Sequence, residues 1–198
     1  NNQAEIDGYP HWSGTVPGDI KFKDINNDGK INADDRVRRT KNSEPRFVGG
    51  FNVNLRYKNF DLMALFQGAL GAETYIQTWS GTVGNYLKDF YDKRWTTENP
   101  NVEHPRAYER ENQYWISNSN TYFIRSCDYL RLKNIELGYN ITLPALKNSG
   151  ISNARIYVNA TNIFTIDKLK VADPEADSKD ITSYPQRRVV NFGVSLTF

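Results

Sequence analysis

The sequence has one cysteine, one methionine and two histidines among 198 residues, and no long apolar run. Each scarcity excludes something. A lone Cys127 cannot build an internal disulfide framework, and without a C-x-x-C partner it makes no zinc site. The plain expectation is a buried or half-buried thiol. No stretch approaches the ~20 apolar residues of a membrane-spanning helix. That leaves open a membrane barrel, whose alternating strands give a much weaker signal. Charge of one sign is also lacking: 25 basic against 23 acidic residues leave +2. This is too small a bias for a nucleic-acid partner, and the one basic group (Arg36, Arg38, Arg39, Lys41) reads as a solvated face. Neither histidine sits in a catalytic constellation. His11 adjoins Trp12, His104 lies between Glu103 and Pro105, and neither these nor Asp61 show a triad's spacing. An enzyme is therefore not expected. No leader peptide opens the chain. Asn1-Asn2-Gln3-Ala4 reads like the middle of a polar loop, so more protein is expected upstream.

What the chain has in plenty is aromatic residues, 12 Tyr, 10 Phe and 4 Trp, together with glycine and asparagine. These suit strands joined by turns. Residues 1–46 read as a loop rich in Asn, Asp, Gly and Pro. From Phe47 to Tyr57 the pattern has period two. Phe47, Phe51, Val53, Leu55 and Tyr57 take one face, and Val48, Asn52, Asn54 and Arg56 the other. The span suits a tilted transmembrane strand of ~9–11 residues. Lys58-Asn59 is a two-residue turn, and a second strand runs from Phe60 to Gln67. Within residues 71–121, Tyr86, Leu87, Phe90, Tyr91 and Trp95 have the spacing of a short helix. A third strand lies within Tyr122–Ile141, and its change of parity places a β-bulge near Lys133-Asn134. A fourth runs Ala154–Thr165. In the last, Val190, Phe192, Val194, Leu196 and Phe198 alternate with Asn191, Gly193, Ser195 and Thr197.

Five antiparallel strands need four connections. With Phe198 ending on the inner side, residues 167–187, 71–121 and 1–46 fall outside, and 142–153 and 58–59 inside. The long segments all sort to one side and the short ones to the other, which is the asymmetry of outer-membrane barrels.

Residues 24–35 match the spacing of a calcium loop. Asp24, Asn26 and Asp28 supply oxygens at positions one, three and five, and Gly29 permits the sharp turn. Lys30 offers its carbonyl, Asn32 a water-mediated contact, and Asp35 the closing carboxylate. A hard cation needs six to eight such oxygens around one point. Asp35 stands where Glu is usual, one methylene short, and no flanking helices are evident. The plainer alternative is an Asx-rich turn without metal.

These residues resemble a known family. Pro17-Gly18-Asp19-Ile20-Lys21-Phe22-Lys23-Asp24-Ile25-Asn26-Asn27-Asp28-Gly29-Lys30-Ile31 is similar to a segment of the SusC-like (RagA-like) TonB-dependent transporters. Tyr129-Leu130-Arg131-Leu132-Lys133-Asn134-Ile135-Glu136-Leu137-Gly138-Tyr139 resembles one of their strands. Tyr157–Thr165 and Tyr184-Pro185-Gln186-Arg187-Arg188 resemble a later strand and the last loop. Phe198 resembles the aromatic terminus read by barrel-assembly machinery. The resemblance implies an all-β fold: about five antiparallel transmembrane strands (residues 47–198) of a ~22-stranded plugged barrel, with long extracellular loops and the calcium-like loop in residues 1–46. It implies a plug domain outside this chain, TonB as energy source, a SusD-like lipoprotein partner, an outer membrane of Bacteroidetes type, and oligosaccharide or peptide substrates.

Within that reading the substrate or partner contacts are expected in the outer loops, at Trp79, Tyr86, Trp95, Tyr114, Trp115 and Tyr184. The same aromatics also suit an interfacial girdle. The competing class is a secreted calcium-binding β-domain using them as a sugar platform. A dockerin-like module would need a second loop copy and helices, and neither is present.

Overall fold

The structure, a computed structural model, describes residues 2–76, 88–107, 120–142, 150–176, 184 and 186–198. It divides into two compact units: residues 1–40 with 77–123, and residues 41–76 with 124–198.

The second unit is an antiparallel sheet. Its strands are β1 (Phe47–Tyr57), β2 (Phe60–Leu70), β5 (Tyr129–Ile141), β6 (Asn153–Thr161) and β8 (Val189–Thr197), hydrogen-bonded in the order β1-β2-β5-β6-β8. A short β7 (Thr165–Asp167) also pairs with β5, and β3 (Glu73–Tyr75) pairs with β4 (Ile124–Ser126). The sheet is open, with β1 and β8 as its edges. The tight turn 58–59 and the connection 142–152 share one end of it. The longer excursions 71–128 and 162–188 share the other.

Register explains the two faces. Phe51 pairs with Phe66, Val53 with Ala64, Leu55 with Leu62 and Phe60 with Tyr139. Leu137 pairs with Val158, and Ile156 with Val194. One face is therefore apolar across all five strands. Its rings pack across strands, with Phe51 and Phe66 stacked at 4.7 Å between centroids and Phe60 tilted on Tyr139 at 4.8 Å. Among the described residues nothing covers this face: Phe192 is 84 % exposed and Val194 65 %. A soluble sandwich would bury such a face against a second sheet.

The opposite face is polar and internally bonded. Arg155 on β6 donates to Asp61 on β2, and also to Glu136 on β5 at 2.7 Å. Asn140 donates to Asp61 at 3.0 Å, and Asn191 on β8 to Asn159 at 3.0 Å. Two glycines make the room. A Cβ on Gly138 would sit 2.3 Å from the Arg155 guanidinium, and one on Gly193 2.2 Å from the Tyr157 ring.

The expected bulge is present. Leu65 faces Asn134 and Phe66 faces Leu132, so Lys133 is the extra residue. Such an insertion re-aims side chains. It lets Tyr129 and Arg131 on one side of it, and Asn134 and Glu136 on the other, all share the polar face. The fourth strand is shorter than the pattern predicts. It stops at Thr161, Asn162 turns into the left-handed region (φ 53°), and the chain resumes pairing with β5 as β7. Three residues, 162–164, thus answer two on β5, so the break in the fourth strand lies beside the bulge. β2 extends beyond its expected end, to Leu70, and the third strand begins only at Tyr129. The two-residue turn forms with Lys58 at φ 52°.

The described part of the first unit is mostly loop, with two 3-10 turns (Ala33–Asp35 and Thr121–Phe123) and two short α-helices. A short helix α1 (Gln3–Asp7) is capped by Asn2, whose side chain accepts from the Glu5 N–H at 2.9 Å. A second, α2 (Lys88–Lys93), carries Phe90 and Tyr91 from the predicted helical stripe; Tyr86 and Leu87 lie outside the described residues.

With the apolar face in lipid, Val194→Arg is expected to destabilise the membrane-embedded protein by about 2–4 kcal/mol. Thr197→Arg, on the polar face and opposite Asn153, is expected to change stability by less than about 0.5 kcal/mol. Urea unfolding in lipid measures both, and equal costs at the two positions would show that the faces do not divide this way.

Candidate functional site

Three places gather functional side chains: the 24–35 loop, the loop packing of the first unit, and a groove on the polar face of the sheet.

The 24–35 loop folds on itself. Gly29 (φ 79°) donates its N–H to Asp24 Oδ2 at 2.9 Å, the Asp28 N–H bonds Asn26 Oδ1 at 3.1 Å, and the Lys30 N–H bonds Asp28 Oδ1 at 2.8 Å. Asn32 and Asp35 form a capping box around a single 3-10 turn (Ala33–Asp35). Asp35 closes the loop, but as a clasp. One oxygen accepts from the Ile25 N–H and the other from the Asn32 N–H, both at 2.8 Å. These backbone donors, Asn32's first, hold its carboxyl below the usual value. Asp24 Oδ1 is sealed from solvent and has no hydrogen-bond partner, an orphaned acceptor at the loop's first ligand position. Among the described residues no three His, Cys, Asp or Glu side chains converge as a metal site. A cation here would depend on Asp24 and Asp28 together with amide and main-chain oxygens, with Asp35 turned from its clasp.

The first unit is organised by the Pro17-Gly18-Asp19 turn. Gly18 has φ 89°, and a Cβ there would lie 2.5 Å from the Trp95 ring. Its carbonyl accepts from the Arg106 N–H at 2.8 Å, and Asp19, 2 % exposed, accepts from Arg106 Nε at 2.5 Å. Nearby, buried His104 places Nε2 3.1 Å from Asp89 and Nδ1 2.9 Å from the Tyr122 hydroxyl, with Phe90 stacked on its ring. Lys93 and His104 hold the Asp89 carboxyl below its usual value. His104 thus serves as a packing hub, joined to one carboxylate and one phenol.

The groove has a volume of about 650 Å³. Val48, Gln67 and Tyr129 on the polar face form its floor, and Ser43, Pro174 and Tyr75 belong to its walls. Beneath the Pro174 wall lies a buried ionic cluster. Arg131 (4 % exposed side chain) reaches Asp173 at 2.7 Å and Glu175 at 2.5 Å. Its Nε donates to Thr165 at 2.8 Å, so every guanidinium nitrogen is engaged. Glu175 also accepts from the Tyr129 hydroxyl at 2.7 Å and from Lys133 at 2.8 Å. Burial pushes the Asp173 carboxyl up, but the Gln186 N–H and Arg131 pull it further, to a net value below normal. Burial pushes the Cys127 thiol, also on the groove, upward.

Of the aromatic positions named from sequence, Trp79, Tyr86, Tyr114 and Trp115 lie outside the described residues. Trp95 packs on Gly18 with its Nε1 sealed from solvent. Tyr184 is 95 % exposed, and Phe198, just past β8, is 84 % exposed. The ionic cluster was not foreseen. Its one trace in the sequence is the pair of basic residues Arg131 and Lys133 within a strand, with nothing to indicate acidic partners 42 and 44 residues away.

An open antiparallel sheet with one continuous apolar face and one bonded polar face is a segment of a transmembrane β-barrel wall. No family model matches the chain. Comparison with known proteins gives TonB-dependent receptor P3 of Formosa agariphila, 31% identical over 212 residues, covering 96% of this chain and 20% of that protein. TonB-dependent receptor P26 of the same organism is 30% identical over 214 residues, covering 100% and 21%. Among solved structures, the RagAB peptide transporter matches with a TM-score of 0.67 and 25% identity, over 86% of this chain and 19% of that one. The RagAB peptide importer in its "closed-closed" state gives 0.66 and 26%. Along nearly its whole length the chain is similar to TonB-dependent receptors, and its fold is similar to that of the RagA-like transporter in the RagAB structures. It spans about one fifth of the length of the relatives it matches.

Gly18→Ala is expected to open the first unit, because it adds a clash with Trp95 to the left-handed backbone cost of about 1–3 kcal/mol. Gly14→Ala is the control: it has φ 84° but nothing within 4 Å of its Cβ. Limited proteolysis across residues 94–106 should be faster in the first variant only. Equal rates would mean that the Trp95 contact is not what holds this segment.

Proposed function

We propose that this chain forms part of the wall and outer loops of an outer-membrane importer of a Bacteroidetes-type cell. The importer takes up oligosaccharides or peptides, draws energy through TonB, and works with a SusD-like surface lipoprotein. The observation that carries this is the uncovered apolar face running across five strands opposite a bonded polar face, in a chain that matches TonB-dependent receptors along nearly its whole length. The likeness to a RagAB peptide transporter supports the importer reading and the lipoprotein partner. In this reading the excursions 1–46, 71–121 and 167–187 are extracellular. The plug and the TonB-contacting segment belong to the rest of the receptor. The outer loops, Tyr184 among them, meet substrate or lipoprotein, and Phe198 is the assembly terminus.

Deleting the gene for the full receptor is expected to abolish uptake of its oligosaccharide or peptide cargo, and the lipoprotein is expected to co-purify in detergent. A full receptor that stays soluble and monomeric without detergent would instead support a secreted calcium-binding β-domain.

We further propose that the 24–35 loop binds calcium, supported by the spacing of its oxygens and by the orphaned Asp24 Oδ1. Extracellular calcium would fill even a site of ~10⁻⁴–10⁻³ M affinity. Isothermal titration of the full receptor should show calcium uptake by the wild type that Asp24→Ala loses. Equal uptake by both removes the assignment.

A further inference from the structure

The segment 168–176 lies as a strap against the start of β5 and is fastened along its length. Lys168 donates its N–H to the Asp128 carbonyl and pairs with the Asp128 carboxylate at 2.9 Å. Leu169 is buried at 4 % exposure. Lys170 takes a left-handed turn at φ 63°, its N–H bonded to Asp167 at 2.6 Å. Asp173 then accepts from the Glu175 and Gln186 N–H groups, both at 3.0 Å, and from Arg131. Glu175 closes the strap onto Tyr129, Arg131 and Lys133.

This arrangement has two physical consequences. First, Asp173 and Glu175 lose their hydration in the strap's seat, and Arg131 compensates both. Removing one partner of such a set leaves buried charge behind and is strongly destabilising, even where the intact set adds little net stability. The seat is therefore occupied fully or not at all. Second, Pro174, Glu175 and Ala176 line the groove, together with Ser43, Pro45 and residues 72–75 and with Val48, Gln67 and Ala69 of the sheet. Its volume of about 650 Å³ falls within the ~300–1,000 Å³ usual for ligand clefts. The strap's position sets the width of that groove.

We propose that Arg131, Asp173 and Glu175 are positioning residues for cargo passage: an ionic lock that makes the strap a fixed wall of the luminal path, so that the opening of the extracellular mouth is carried by other loops. This rests on the importer reading above. The bulge at Lys133 belongs to the device, because it turns a third donor of β5 onto Glu175 without breaking the sheet.

The test uses the full receptor with its lipoprotein in intact cells, with Cys127 and every cysteine elsewhere in the receptor replaced by serine and Ala176→Cys as reporter. A membrane-impermeant maleimide reads exposure of the strap. In the parent, labelling should be slow. Arg131→Met should speed it about tenfold or more, and raise the KM for cargo several-fold with the maximal uptake rate largely kept. Arg155→Met, which breaks the other ionic cluster of the same face without touching the strap, should leave labelling at the parent rate. The proposal is overturned if Arg131→Met labels like the parent, or if Arg155→Met accelerates labelling equally. Should Arg131→Met fail to reach the membrane, Glu175→Gln decides on the same rates: faster labelling supports the lock and the parent rate refutes it. A parent that imports no oligosaccharide or peptide sinks the importer reading, while the labelling result still decides whether the lock exists.

Discussion

The structure depends on one constraint: in a strand, successive side chains point to opposite faces. Five strands in register turn that alternation into a wall, with Phe51, Phe66, Leu137, Ile156 and Val194 on one side and Asp61, Glu136, Arg155 and Asn191 on the other. A one-residue slip between any two strands would put polar groups into the apolar face. Register is thus held by the penalty for misplacing polar groups as much as by the ladder of backbone bonds.

The polar face is held by its own network. Arg155 draws Asp61, Glu136 and Asn140 into a cluster spanning three strands, and Gly138 and Gly193 let the large side chains lie flat against the wall. At the other end, Arg131 does the equivalent for a loop. The two clusters differ in reach. The first ties three consecutive strands, β2, β5 and β6, while the second ties β5 to residues that return after the β6–β7 excursion. The bulge at Lys133 and the break at Asn162 are the local distortions that permit the second.

The first unit uses shorter-range devices. Gly18 admits Trp95, Asp19 holds Arg106, and Asp35 clasps the 24–35 loop through the backbone N–H groups of Ile25 and Asn32. The family-like segment from Pro17 to Ile31 therefore has a structural meaning apart from any metal: its glycine and first aspartate organise packing, and its later aspartates and asparagines organise a turn.

The sequence by itself determined the five long strands and their faces, because period two can be read residue by residue, whereas the short β3, β4 and β7 left no such pattern. It also determined the bulge, which shows as a change of parity, and the turn at Lys58. It misjudged the end of the fourth strand, since the break at Asn162 answers a distortion in a neighbouring strand that no local pattern records. Only the tertiary structure decided that Asp173 and Glu175 meet Arg131, that Trp95 is spent on Gly18, and that Asp35 serves as a clasp. The physical reason is the same each time: burial and hydrogen bonding depend on what distant residues bring to the place, whereas alternation depends only on the chain's own geometry.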